Sequence, residues 1–178
     1  MVLLRWGLIP FFAKGVAPGY STINARIETV RTAASYRGPW KRGQRCAVIA
    51  NGFYEWQVQA DGKSKQPFYI HLNDQPEFAM AGLWESSRGA DGVGVESCTH
   101  ITLPANALLA RIHNAKLRMP AILAREDRDT WLHGTAEEAW SVLKPYSAEL
   151  MVAWPVSSRV NKPANNEASL LEPIDIPH

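Results

Sequence analysis

Residues 45–72 read RCAVIANGFYEWQVQADGKSKQPFYIHL, a series of β-rich runs interrupted at Asn51-Gly52 and Asp61-Gly62. Asp-Gly between two such runs is a hairpin signal, because the pair readily adopts the positive φ that tight turns need. Asn-Gly inside a run predicts a bulge or sharp bend. Strands joined this closely must run antiparallel, since a parallel pair needs a long crossover. FAMAGLWES and CTHITL continue the series beyond residue 77. The fold class is therefore α+β, with a mainly antiparallel, barrel-like β core and a few short helices. A single domain over residues 1–178 is expected.

The remaining segments fill in around that core. VLLRWGLIP reads as a strand ending at Pro10, and FFAKGVAPGYST as a loop. The spacing predicts a helix over 28–36, closed by Gly38-Pro39. A second helix is expected over 105–113, with Leu108, Leu109 and Ile112 on its buried face. The short strand MPAILA follows, then a helix over 126–132. TAEE at 135–138 fits a capping box that opens a last helix before Pro145. LMVAWPVS is a final strand, and the tail from Asn161 onward is mostly loop.

Composition narrows the function classes. There is no apolar run of about 18 residues, so no membrane-spanning helix is expected. The start lacks the features of a secretory signal. Two cysteines, Cys46 and Cys98, do not make a disulfide scaffold. Neither they nor the histidines show metal-ligand spacing, so no metal and no cofactor are expected. Net charge is only +2, yet residues 1–45 hold eight cations against Glu28 alone. Trp6, Phe11, Phe12, Tyr36 and Trp40 interleave with them. That pattern suits a surface that binds phosphate and stacks on bases, or else a solvated basic face above core aromatics.

Four polar features sit where elements end. Asn24 and Arg26 alternate with Ile23, Ala25 and Ile27, which puts both on one face of an extended segment. Glu55 lies between Tyr54 and Trp56. Aromatic surroundings raise a carboxyl pKa by desolvation, which suits proton transfer near neutral pH; the plain alternative is a Glu on a strand's polar face. His113 ends the 105–113 helix, either as a cation against the helix dipole or as an acid/base group delivered into a site. Thr102 lies at a strand end. Arg118 follows His113 closely.

RWGLIPFFAK, INARIET, RCAVIANGFYEW, KQPFYIHL, MAGLWE, ITLPAN, IHNAKLRMPAIL and VSSRVNK, in that order, resemble the SRAP family, the SOS response-associated peptidases that process abasic sites. The resemblance implies binding to single-stranded DNA and self-crosslinking to abasic sites. It implies a nucleophilic Cys directly after the initiator Met, whose amine and thiol close a thiazolidine with the ring-opened sugar aldehyde. Supporting roles fall on Asn24, Glu55 and His113, a DNA-backbone contact on Arg26, and a place near the site on Thr102. The wider DNA surface is expected at Trp6, Phe11, Phe12, Arg31, Arg118 and the Trp40-Lys41-Arg42 neighbourhood. The expected partner is single-stranded DNA containing abasic sites, met by a monomer in the cytoplasm, associated with the nucleoid, without membrane contact.

Two departures from the family pattern bear on the chemistry. The chain starts Met1-Val2-Leu3, without a Met-Cys-Gly-Arg opening. It is expected to be truncated, to form no thiazolidine as it stands, and not to remove its own initiator Met. The segment between His113 and Arg118 is also longer than the family's compact form. Two other readings stay open: a single-stranded DNA-binding module without chemistry, and a small-molecule hydrolase using Glu55 and His113.

Overall fold

The computed structural model describes residues 1–175. In chain order the elements are β1 (Arg5–Trp6), β2 (Asn24–Arg26), α1 (Arg37–Lys41), β3 (Arg45–Ala50), β4 (Phe53–Val58) and β5 (Lys65–Leu72). They continue with β6 (Phe78–Arg88), β7 (Gly94–Pro104), α2 (Ala107–Ile112), β8 (Arg118–Pro120), β9 (Ile122–Leu123), α3 (Asp127–His133), α4 (Ala136–Ser141) and β10 (Met151–Pro155). Single 3-10 turns punctuate the loops. The α+β class is observed. The chain divides into two compact units, one of residues 1–49, 79–103 and 120–145, the other of residues 50–78, 104–119 and 146–178.

In the first unit the sheet order is β1-β7-β6-β3, with β2 also on β7 and β9 also on β6. Among the described residues neither this sheet nor that of the second unit closes into a barrel. β6 and β7 form a long antiparallel hairpin, from Gly82 opposite His100 to Arg88 opposite Gly94. β1 and β2, by contrast, run parallel to β7. Leu8, Ile9, Ala25, Leu83, Ile101, Leu103 and Trp131 are buried in this unit. Each large apolar side chain there contributes about 1.5–3 kcal/mol of burial. Gly82 is needed for close approach: a β-carbon there would stand 2.8 Å from the Thr99 carbonyl and 2.9 Å from the Cys46 sulfur. α4 begins with the expected capping box, in which the Thr135 hydroxyl accepts from the Glu138 N–H and the Glu138 carboxylate accepts from the Thr135 N–H.

The second unit holds the antiparallel sheet β10-β5-β4. Its β4–β5 hairpin turns at Asp61-Gly62, as its sequence predicts. Asp61 Oδ1 accepts from the N–H groups of Lys63 and Ser64, and Gly62 takes φ +67°. The break before β4 falls at Asn51-Gly52. A β-carbon on Gly52 would lie 2.2 Å from the Tyr69 hydroxyl, so only glycine fits. The tail from Asn161 contains a 3-10 turn at Ala168–Leu171, and residues 176–178 lie outside the described residues.

Three local expectations are corrected. VLLRWGLIP yields only the two-residue β1, because Gly7 turns the chain at φ +108° and sends Leu8 and Ile9 into the core. Residues 28–36 form successive turns rather than a helix. Ile27, Thr29, Val30 and Thr32 are stiff at χ1, and the hydroxyls of Thr29 and Thr32 donate back to carbonyls three residues earlier. The helix forms instead across Gly38-Pro39, as α1. Proline is tolerated there because a first-turn N–H has no intrahelical acceptor. Finally, the 105–113 helix is shorter, spanning Ala107–Ile112 with His113 as its C-cap.

Candidate functional site

β4 carries Glu55 between Tyr54 and Trp56, and strand alternation turns their side chains to opposite faces. Tyr54 and Trp56 line a cavity of about 460 Å³ with tail residues including Val160, Asn165 and Leu171. Glu55 faces the other way, toward α2. That helix starts at Asn106, whose Oδ1 accepts from the Leu109 N–H at 2.9 Å and whose Nδ2 donates to the Tyr146 carbonyl at 2.7 Å. Leu109 and Ile112 anchor its buried side. His113, at its end, brings Nδ1 to 3.3 Å from Glu55 Oε1 and 3.0 Å from the Arg118 carbonyl. The side chains of His113 and Glu55 keep 16% and 21% of their surface exposed, so both are largely desolvated yet reachable from solvent.

The electrostatics push both groups toward neutrality. Burial raises the Glu55 carboxyl to about 7, against the lowering effects of the Trp56 N–H and the Lys116 charge. Burial also holds the His113 imidazole below its ordinary range, reinforced by the charges of Lys116, Arg118 and Lys65. With both nearby oxygens on the Nδ1 side, the neutral ring is best assigned a hydrogen on Nδ1, which leaves Nε2 bare. A carboxyl that titrates near neutrality, on the Nδ1 side of an imidazole whose Nε2 is bare, puts a proton donor and a proton acceptor in one site. Lys65 and Lys116 were missed as neighbours of this pair. Lys65 arrives only through the β4–β5 register, where it pairs with Val58.

Arg118 lies in the second unit with the pair, and the first unit holds the remaining expected residues. Asn24 and Arg26 both lie exposed on β2, with Ala25 buried beneath, as their alternation predicts. Their register partners on β7 are His100 and Thr102, and Thr102 is buried. The Tyr36 hydroxyl donates to the Asn24 carbonyl at 3.2 Å. Trp6 is 58% exposed; its Nε1–H donates to the Ile23 carbonyl at 3.0 Å and its ring lies 5.7 Å from that of His100. Phe11 and Phe12 meet edge to face at 5.6 Å and are 59% and 47% exposed.

Other basic residues expected at a DNA surface are already engaged. The Arg31 guanidinium sits 3.8 Å from the Trp140 ring centroid, 5.3 Å from that of Trp40, and 3.5 Å from the Glu137 carboxylate. Trp40 is buried, and Arg42 pairs with buried Glu85 at 2.6 Å. Composition marks these cations as available because it cannot show which of them are neutralised within the fold. Cys46 and Cys98 lie in β3 and β7; burial, helped by Cys98, pushes the Cys46 thiol up to about 12, and burial also raises Cys98. Among the described residues there is no cluster of His, Cys, Asp and Glu able to hold a metal, and no helix long and apolar enough to cross a membrane.

Residues 1–163 match the family model described as SOS response associated peptidase (SRAP). The chain is similar to abasic site processing protein YoqW of Bacillus subtilis (strain 168), with 42% identity over 172 residues, covering 95% of this chain and 75% of that protein. It is also 34% identical over 201 residues to abasic site processing protein HMCES of Gallus gallus, covering 97% of this chain and 57% of that one. A crystal structure of a protein from Bacteroides thetaiotaomicron superposes with a TM-score of 0.84 at 32% identity, over 96% of this chain and 75% of that chain. With the family model spanning most of its length, this chain belongs to the SRAP family.

Proposed function

We propose that this chain processes abasic sites in single-stranded DNA, with Glu55 and His113 as its proton-handling pair. The observation that carries the reading is the 3.3 Å approach of His113 Nδ1 to Glu55 Oε1 in a desolvated but reachable position. An abasic site opens to an aldehyde. Its capture by an amine passes through a carbinolamine that must lose water, which needs acid at the departing oxygen and base at the nitrogen. A carboxyl that titrates near 7 serves as that acid, and the bare nitrogen of His113 assists sugar opening. Asn24 hydrogen-bonds the attacking terminus or the sugar. In the family the amine and thiol belong to a Cys directly after the initiator Met. Cys46 and Cys98 lie within β3 and β7 and have no free α-amine, so neither is that residue.

Arg26 contacts a phosphate, Thr102 beside it in register contacts the DNA, and Trp6, Phe11 and Phe12 stack on bases. Arg118 borders the pair on its cationic side. The protein acts as a monomer at the nucleoid, on strands whose bases are already unpaired, because an abasic sugar must be exposed to reach a pocket.

The test is an abasic-DNA crosslinking assay on a form of the protein that carries the Met-Cys-Gly-Arg opening. His113→Ala and Glu55→Ala are each expected to slow adduct formation by about a hundredfold. Unchanged rates in both variants would remove the assignment. Turnover of a small substrate by the same pair without DNA would favour a hydrolase instead.

A further inference from the structure

β4 is the outer strand of its sheet, and its outer edge is paired by a side chain. Asn114 Oδ1 accepts from the Val58 N–H at 3.0 Å, and Asn114 Nδ2 donates to the Val58 carbonyl at 2.9 Å. One amide thereby satisfies both backbone groups of Val58, as a residue of a neighbouring strand would. Next to it, Gln57 Nε2 donates to the Arg111 carbonyl at 3.0 Å. The chain then closes on itself, because the N–H groups of Lys116 and Leu117 both donate to the His113 carbonyl, at 3.2 and 2.8 Å. Asn114 is therefore the point at which the turn that begins at His113 is fastened to the strand that carries Glu55.

We propose that Asn114 is a positioning residue for His113: its amide locks the 113–117 turn to the outer edge of β4 and so holds the imidazole against Glu55. The inference rests on the proposed function for what the pair does, but not for how it is held. The clamp is exposed to solvent, so water can replace its two hydrogen bonds at small cost to stability. Placement of the ring has no such substitute. The charged groups around the ring are Glu55 from β4, Lys65 from β5, and Lys116 and Arg118 from the segment after α2. A ring released from Glu55 moves out toward water and loses the Nδ1–H tautomer that this environment selects.

The experiment is Asn114→Ala in the full chain, with the His113 ring followed by nitrogen-detected NMR across a pH series. In the parent protein the neutral ring is expected to carry its hydrogen on Nδ1. In the variant it shifts toward the Nε2–H form and titrates closer to the ordinary value of about 6.5, while the melting temperature moves little. An unchanged tautomer and titration would overturn the proposal. In the crosslinking assay Asn114→Ala is expected to slow adduct formation about tenfold, and His113→Ala/Asn114→Ala to be no slower than His113→Ala alone. Additive losses would mean that Asn114 acts apart from His113, which also overturns it. If His113→Ala itself leaves the rate unchanged, the assignment of the reaction fails, and the NMR result still decides whether Asn114 places the ring.

Discussion

Glu55 is a buried carboxyl whose neutral form the fold favours, and this sets a signed dependence of stability on pH. Its folded pKa is raised from 4.5 to about 7, so the folded protein holds a proton that the unfolded chain releases earlier. Stability attached to this group is present below 4.5 and is lost as pH rises through 7. Glu55→Gln removes the charged form altogether. The variant's advantage over the parent protein, measured by chemical denaturation, should therefore be about 2 kcal/mol larger at pH 8 than at pH 5. His113 works in the opposite direction, since its lowered pKa costs stability as pH falls below the imidazole's ordinary range. That the carboxyl would be desolvated was legible, but not the cause: Tyr54 and Trp56 point to the opposite face of β4, and burial on the side facing α2 raises the carboxyl instead. The distance to His113 was not legible, because it depends on how the α2 C-terminus is fastened to β4.

At the scale of elements, punctuation was more legible than extent. Asn51-Gly52, Asp61-Gly62 and the 135–138 capping box all act where their chemistry predicts. Gly52→Ala tests the first of these. A β-carbon 2.2 Å from the Tyr69 hydroxyl forces the buried Tyr69 ring or the backbone before β4 to shift, and a loss of about 2 kcal/mol in unfolding experiments is expected. Strand and helix lengths were read less well. A run such as VLLRWGLIP has β propensity throughout, yet pairing stops at Trp6 once Gly7 turns the chain. The parallel pairing of β1 and β2 with β7 was also invisible, because the partner strand lies about 75–90 residues away along the chain. Hairpins advertise themselves locally, whereas distant register does not.

For the whole molecule, the informative quantity is where charge sits, not its total. The first 45 residues carry an excess of seven cations in a chain of net charge +2. Binding to single-stranded DNA is expected to weaken steadily as salt rises, with Arg26→Ala lowering both the affinity and the steepness of that dependence. Titrations at several salt concentrations check this, and salt-independent binding would contradict it. Part of the cationic count is spent internally: Arg31 lies between two indoles and Arg42 on Glu85. A count of basic residues therefore overstates the contact surface.

The alternation along β4 has one more consequence. Acid and indole occupy adjacent positions on opposite sides of a single strand, and Trp56 is tied by its Nε1–H to Asn161 of the tail at 2.8 Å. A misfolding slip by one position would present an aromatic ring to the imidazole and thrust the acid beneath the C-terminal segment. Such an error parts the acid from the imidazole outright, so a preparation's specific activity would report the fraction folded in the correct register.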